Sequence, residues 1–307
     1  MSPLSNTAVR PLIRLALRED RASADATSRA VVPVNLRIRA RIIAKAPGIL
    51  AGGPIVLWTF QAIDSSLRCR LLQPEGARLV RGATILTIEG RARSIMAAER
   101  TALNFLMHLS GIATLTAAYA ARVRGTRAKI FDTRKTLPGL RVLEKYAVRA
   151  GGGQNHRKDL AQAILIKTNH VKCGMRNTSA KQIGGSAMMC GGECGMAIRN
   201  AVANAKRLKL GTFVEIEVTN LNEFKAALAT KPDAILLDNW RLTDIRKAVA
   251  LRNGTRYTVH GSPLLEVSGG VTLKNVRAIA RTGVKRISIG RLTHSAPALD
   301  FSLKVLR

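Results

Sequence analysis

The chain reads as an α/β protein built on a parallel sheet, open or closed into a barrel. Three observations carry this. From about residue 125, short apolar segments alternate with helical ones, as strand–helix–strand units do. Those apolar segments end, one after another, in polar residues or glycine. Finally, 47% of the 307 residues are hydrophobic, enough for a sizeable core.

The elements follow in order. Arg10, Arg14 and Arg18 lie four apart around Leu12, Ile13, Leu15 and Leu17, which predicts an amphipathic first helix. Arg37–Ala44 alternates charged and apolar side chains, as a half-buried strand does. Gly48 and Gly52-Gly53 break the chain, Leu57–Ser65 reads as a helix, Glu75-Gly76 as a turn and Thr84–Glu89 as a strand. Ala97–Tyr119 reads as a long helix, with Leu103, Leu106, Met107 and Leu109 on its apolar side and an interruption at Gly111. Six strands follow at Ala128–Phe131, Ala163–Ile166, Phe213–Val218, Ala234–Leu237, Leu264–Val267 and Arg286–Ile289, with helical stretches such as Leu221–Ala229 and Leu273–Arg281 between them.

The charge narrows the partner. Fifty lysines and arginines against 19 acids leave a formal charge of +31, which selects a polyanion: nucleic acid, an anionic membrane or a phosphate-rich metabolite. Residues 1–110 and 111–307 are both basic, so there is no detachable basic arm. Aromatics make up only 4%, which argues against stacking on single strands. Four cysteines are too few for a disulfide framework. No run of about 18 apolar residues suggests a membrane span, and arginines interrupt any signal-peptide core. A cytoplasmic location is expected.

The residues that end the strands point to a site, because in α/β barrels the carboxyl ends of the strands carry it. Asp132-Thr133-Arg134-Lys135 follows one strand, and Lys167 the next. Glu215 and Glu217 lie inside the third, and Asp238 ends the fourth. Ser268-Gly269-Gly270 and Gly290 follow the last two. Gly151–Gly153 adds a permissive turn before His156 and Arg157. Arginines grip carboxylates or phosphates with two parallel hydrogen bonds, so cations from several loops suit a ligand with several anionic groups. Glu217 and Asp238, rare acids in apolar strands, suit either Mg²⁺ or sugar hydroxyls, with salt bridges to Lys135 or Lys167 as the structural alternative. The glycine loops suit phosphate, since bare backbone N–H groups approach its oxygens.

The run Glu99–Leu106, then Leu109–Thr114, resembles the signature of the quinolinate phosphoribosyltransferases. Asp132–Thr136, Pro138–Leu140, Glu144–Ala147, Gly151–Arg157, Leu165–Lys167, Asn169-His170, Leu236–Asn239, Ser268–Gly270 and Leu292–His294 match in the same order, covering about Leu15 to Leu303. The resemblance implies an N-terminal α/β sandwich domain plus an incomplete parallel α/β barrel. The expected boundaries are 1–110 and 111–292, with 293–307 returning to the sandwich. It implies transfer of phosphoribosyl from phosphoribosyl pyrophosphate to quinolinate with decarboxylation, in NAD biosynthesis and with Mg²⁺. A homodimer or homohexamer with shared sites would result, with no membrane and no specific nucleic-acid binding.

On this resemblance, Arg100 reaches the neighbouring subunit's site. Thr133, Arg134, His156 and Arg157 bind the pyridine dicarboxylate. Lys135 and Lys167 lie between the two substrates. Glu217 and Asp238 hold ribose hydroxyls and the metal. Ser268, Gly269, Gly270, Gly290, Arg291, Leu292 and His294 surround phosphate. A paralogue of the molybdenum-transport-associated type, or a binding-only or nucleic-acid-binding basic paralogue, is the alternative. This chain departs from the pattern at Thr168 (usually acidic), at Ala24-Asp25 (usually Gly-Asp) and at Met107-His108 (usually a Gln-Arg type pair). A long stretch near 171–196 bears Cys173, Cys190 and Cys194. It reads as a surface loop; three thiols also raise zinc, but no fourth ligand is evident.

Overall fold

The computed structural model describes residues 4–179, 191–208, 212–255 and 261–306. Its strands in chain order are β1 (Arg37–Ala44), β2 (Gly48–Ile49), β3 (Arg68–Leu71), β4 (Arg78–Leu79), β5 (Thr84–Arg91) and β6 (Lys129–Phe131), then β7 (Ile164–Ile166), β8 (Val214–Val218), β9 (Ala234–Asp238), β10 (Leu264–Ser268), β11 (Arg286–Ser288) and β12 (Phe301–Leu306). The chain divides into two compact units. One comprises Met1–Ala120, Lys135–Asn155 and Arg291–Arg307, the other Ala121–Arg134 and His156–Gly290. By compactness, Lys135–Asn155 thus groups with the N-terminal residues.

The first unit is a two-layer sandwich. Its antiparallel sheet has the order β12-β1-β5-β3. One sheet face (Ala40, Ile42, Leu86, Ile88, Phe301) shares a buried cluster with Val56 and Phe60 of the helix Gly53–Ile63 and with Ile95, Ala98, Ala102, Leu103 and Leu106 of the helix Ala92–Arg122. The opening helix Asn6–Glu19 buries Val9, Ile13 and Leu17 and leaves Arg10, Arg14 and Arg18 in water, as the spacing predicts. β12 pairs with β1 from Arg39↔Leu306 to Ala44↔Phe301, so the C-terminal strand completes this sheet.

Gly111 does not interrupt the long helix, which runs unbroken from Ala92 to Arg122. The residue serves close approach instead: a methyl group there would lie 2.1 Å from the Pro297 carbonyl oxygen. This helix is long and apolar enough to cross a membrane by composition, but more than half of its apolar window is buried inside the protein. Sandwich packing accounts for it.

The second unit holds six parallel strands in the order β6-β11-β10-β9-β8-β7. Among the described residues β6 and β7 do not pair, so the barrel is incomplete. The expected helix at 221–229 is present as Leu221–Ala229, and the one expected from 273 shortens to Val276–Ala280. The stretch near 171–196 is not simply a loop: the helix Thr168–Ser179 runs into it and the helix Gly191–Leu208 out of it. The interval between them, with Cys190, lies outside the described residues. Cys194 donates to Glu223 at 3.9 Å, and burial, with Glu223 beside it, pushes its thiol pKa up.

Candidate active site

Since the six strands run in parallel, their carboxyl ends share one edge of the second unit. Thr133 and Arg134 follow β6, Lys167 follows β7, and Glu217 lies near the end of β8. Asp238 ends β9, Ser268 ends β10, and Gly290 follows β11. Asp238 and Ser268 stand opposite each other in register, and Glu217 pairs with Leu236.

Glu217 is almost fully buried, and both its oxygens are held. Lys167 Nζ donates to Oε2 at 2.9 Å. The Thr168 backbone N–H and hydroxyl donate to Oε1 at 3.3 and 3.2 Å. A carboxylate in place of Thr168 would face Glu217 across a hydrogen-bond distance, whereas the threonine donates to it. His170 Nδ1 accepts from the Lys167 N–H at 2.9 Å and fixes the turn that aims the lysine.

The β9 and β10 ends are locked together. Asn239 adopts a left-handed φ of 60° and donates its N–H to the Ser268 carbonyl at 2.9 Å. A Cβ on Gly269 would fall 2.1 Å from Asn239 Oδ1, so only glycine fits there. Gly269 and Gly270 both have positive φ, and Asn275 donates to the Gly270 carbonyl at 2.9 Å. With no side chain at either position, the backbone N–H groups here stay open to close approach by an anion.

Arg134 and Arg157 are neighbours of like charge. Burial, and then Arg134, press the Arg157 pKa below its ordinary value. Arg157 Nη1 donates to the Ala163 carbonyl at 3.0 Å, while its Nε is buried with no partner among the described residues. Two like charges this close, each half-buried, favour an anion placed between them.

His156 sits beneath this pair. Its Nδ1 accepts from the Arg157 N–H at 2.8 Å, and its own N–H donates to Asp132 Oδ1 at 2.8 Å. Nε2 lies 2.9 Å from Glu215 and 3.4 Å from Glu266. Arg286 donates to Glu266 and stacks 4.0 Å over the Phe131 ring. The imidazole thus faces the sheet interior with both nitrogens engaged, rather than standing open at the edge. His156, Glu215 and Glu266 offer three ligand atoms within 4.8 Å of one another, a spacing that suits a metal. Arg286 already supplies the positive charge there. Burial and then Glu215 push the Glu266 pKa up.

The remaining expected residues belong to the first unit. Lys135 is exposed, and its carbonyl accepts from Thr293 Oγ1 at 2.6 Å. Arg291 and His294 are exposed, and His294 Nδ1 lies 2.6 Å from Ser295 Oγ. The Leu292 side chain is fully buried, which leaves only its backbone for a ligand. Arg100 is exposed on the long helix. His108, at the departing Met107-His108 pair, lies 2.9 Å from the buried Glu144, whose other oxygen accepts from the Leu137 N–H at 3.2 Å. That bond steadies the segment after Lys135.

Asp132, Thr168, Asn239, Glu266 and Arg286 had no role in the sequence reading, and Glu215 was noted without one. A signal existed for two of them: Glu215 and Glu266 are acids inside short apolar strands, and buried acids need partners.

Comparison with known proteins agrees with this geometry. The model of the quinolinate phosphoribosyl transferase N-terminal domain matches residues 25–110, and that of its C-terminal domain matches 112–304. The nicotinate-nucleotide pyrophosphorylase [carboxylating] of Mycobacterium leprae is 42% identical, with 96% of each chain covered. Among solved structures, the nicotinate-nucleotide pyrophosphorylase of Francisella tularensis superposes with a TM-score of 0.85 at 36% identity, covering 99% of this chain and 98% of its own. NadC from Streptococcus pyogenes gives 0.84 at 35% identity, with 100% of each covered.

Proposed function

The chain belongs to the quinolinate phosphoribosyltransferase family, and from that premise we propose how its residues share the reaction. The enzyme transfers phosphoribosyl from phosphoribosyl pyrophosphate to quinolinate with loss of CO₂, giving nicotinate mononucleotide and pyrophosphate for NAD biosynthesis.

The observation that carries the assignment of roles is the Arg134–Arg157 pair. Its mutual repulsion is relieved by a dicarboxylate, and each guanidinium offers a fork that matches a carboxylate. Thr133 borders it. His156 is a positioning residue that fixes the Arg157 backbone. Lys167 is long and half-exposed, free to leave Glu217 for a substrate anion. As pyrophosphate departs, positive charge grows on the sugar, and Glu217 and Asp238 stabilise it. As CO₂ leaves, carbanion character grows on the pyridine ring, and Lys135 and Lys167 offset it. Ser268, Gly269, Gly270 and Gly290 receive phosphate oxygens through backbone N–H groups.

Mg²⁺ fits Glu217 and Asp238, hard oxygen donors on adjacent strands. Both Glu217 oxygens already accept from protein donors, which favours holding the ion through water. When bound, the ion neutralises pyrophosphate charge. The working form is a homodimer or homohexamer in the cytoplasm, each site completed by Arg100 of the partner subunit.

The test is a coupled assay of pyrophosphate release with quinolinate against nicotinate. Turnover with quinolinate, Mg²⁺ and phosphoribosyl pyrophosphate is expected. No turnover in pure, oligomeric protein would overturn the reading.

A further inference from the structure

The site absorbs only a few of the cations behind the +31 charge. The sandwich sheet accounts for a second group. One face of that sheet packs on helices, while the other carries charge. In register, Lys304, Arg41, Thr87 and Arg70 form one row across β12, β1, β5 and β3. Leu306, Arg39, Glu89 and Arg68 form the next, and Arg37 and Arg91 a third. All seven cations in these rows are exposed.

Their pairing is sparse. Arg39 meets Glu89 at 3.3 Å and Arg91 meets Asp64 at 3.7 Å. Among the described residues no ion pair engages Arg37, Arg41, Arg68, Arg70 or Lys304. Leu306 is the only large apolar side chain in the rows, and none is aromatic.

We propose that this outer sheet face is a docking surface for the phosphate backbone of a nucleic-acid strand, bound without regard to sequence. Residues two apart on a strand sit about 6.8 Å apart, and neighbouring strands about 4.8 Å. Arg37, Arg39 and Arg41 therefore form a line of cations with a step close to that between successive phosphates of a nucleic acid. Arg68 and Arg70 form a parallel line two strands away. A second copy of the same face is repelled by like charge. A lipid surface would find little apolar side chain to insert. The lack of aromatics removes base stacking, the usual means of holding unpaired bases, and leaves phosphate contacts alone. Such binding goes beyond the transferase reaction and uses none of its residues.

The test is fluorescence anisotropy of a labelled, mixed-sequence single-stranded RNA with the full chain, titrated over a range of salt. If about four phosphates are neutralised, log affinity falls against log salt with a slope of about −3. The triple variant Arg39→Gln, Arg41→Gln, Arg70→Gln is expected to bind at least tenfold more weakly, with its slope reduced to about −1. A control with the same net charge, Arg10→Gln, Arg14→Gln, Arg246→Gln, keeps most of the affinity, and both variants keep wild-type turnover with quinolinate. Equal weakening by the two triple variants would overturn the proposal, since net charge alone would then be at work. So would binding to anionic phosphatidylserine vesicles with none to RNA.

Discussion

Lys167 and Glu217 are joined at 2.9 Å across the ends of two adjacent parallel strands, the lysine half-exposed and the glutamate almost wholly buried. The lysine end is exposed, but its loss leaves a buried carboxylate without its cation, a cost of up to about 3–5 kcal/mol where both partners are buried and less here. The loss of a cation aimed at developing negative charge costs about 10²–10³ in rate. Lys167→Met is therefore expected to lose about 100-fold or more in kcat together with some stability, and steady-state kinetics taken well below the denaturant transition separate the two. A wild-type kcat in the folded protein would make the lysine merely structural.

Arg157 should discriminate between a fork and a point charge. Arg157→Lys keeps the charge but loses the bidentate grip, and a charged hydrogen bond is worth about 1.5–3 kcal/mol. The KM for quinolinate is expected to rise about 10- to 100-fold, with a smaller change in the KM for phosphoribosyl pyrophosphate. Equal changes in both would place the arginine elsewhere in the site.

The buried Glu266 sets a pH dependence of stability. Its pKa is raised by burial and by Glu215, so the native state holds a proton there that the unfolded chain has already released. In the window between its unfolded and raised folded pKa, stability falls as pH rises. Below the unfolded value this contribution is fully present. Glu266→Gln keeps the neutral form at every pH and is expected to flatten that slope. Thermal melts across the acidic to neutral range check it, and parallel slopes in both proteins would contradict it.

Gly111 is a steric requirement inside a helix. Alanine would gain about 1 kcal/mol in helix propensity. Its methyl group would also lie 2.1 Å from the Pro297 carbonyl, a backbone atom with little freedom to yield, and overpacking costs about 1–3 kcal/mol or more. The clash wins, so Gly111→Ala should melt several degrees lower. An unchanged melting temperature would mean that the segment at Pro297 moves aside.

The proposed sharing of sites between subunits makes its own prediction. Arg100→Ala and Lys135→Ala subunits, each inactive alone, should regain part of the activity when mixed and allowed to exchange. No recovery after verified exchange would count against a partner's arginine in the site.

The sequence alone determined the strand–helix alternation and the polar strand ends, because period-two apolar runs and their punctuation are local properties. It placed β1 at Arg37–Ala44, as found, and it marked Arg134, Lys167, Glu217 and Asp238 by their positions after or within strands, and Arg157 by the glycine turn before it. What it could not determine were relationships between residues far apart in the chain. Gly111 read as a helix breaker because glycine usually is one; only the passage of Pro297 beside it shows why no side chain fits. The resemblance implies His156 as a ligand, and only the fold shows that Glu215, Glu266 and Asp132, brought in by three strands or their ends, engage it from inside. The line Arg37, Arg39, Arg41 read as one half of an amphipathic strand, and only its register with β3, β5 and β12 shows a charged face. Local pattern follows from the energetics of single segments, whereas a buried carboxylate's partner or a glycine's obstacle is chosen by tertiary packing.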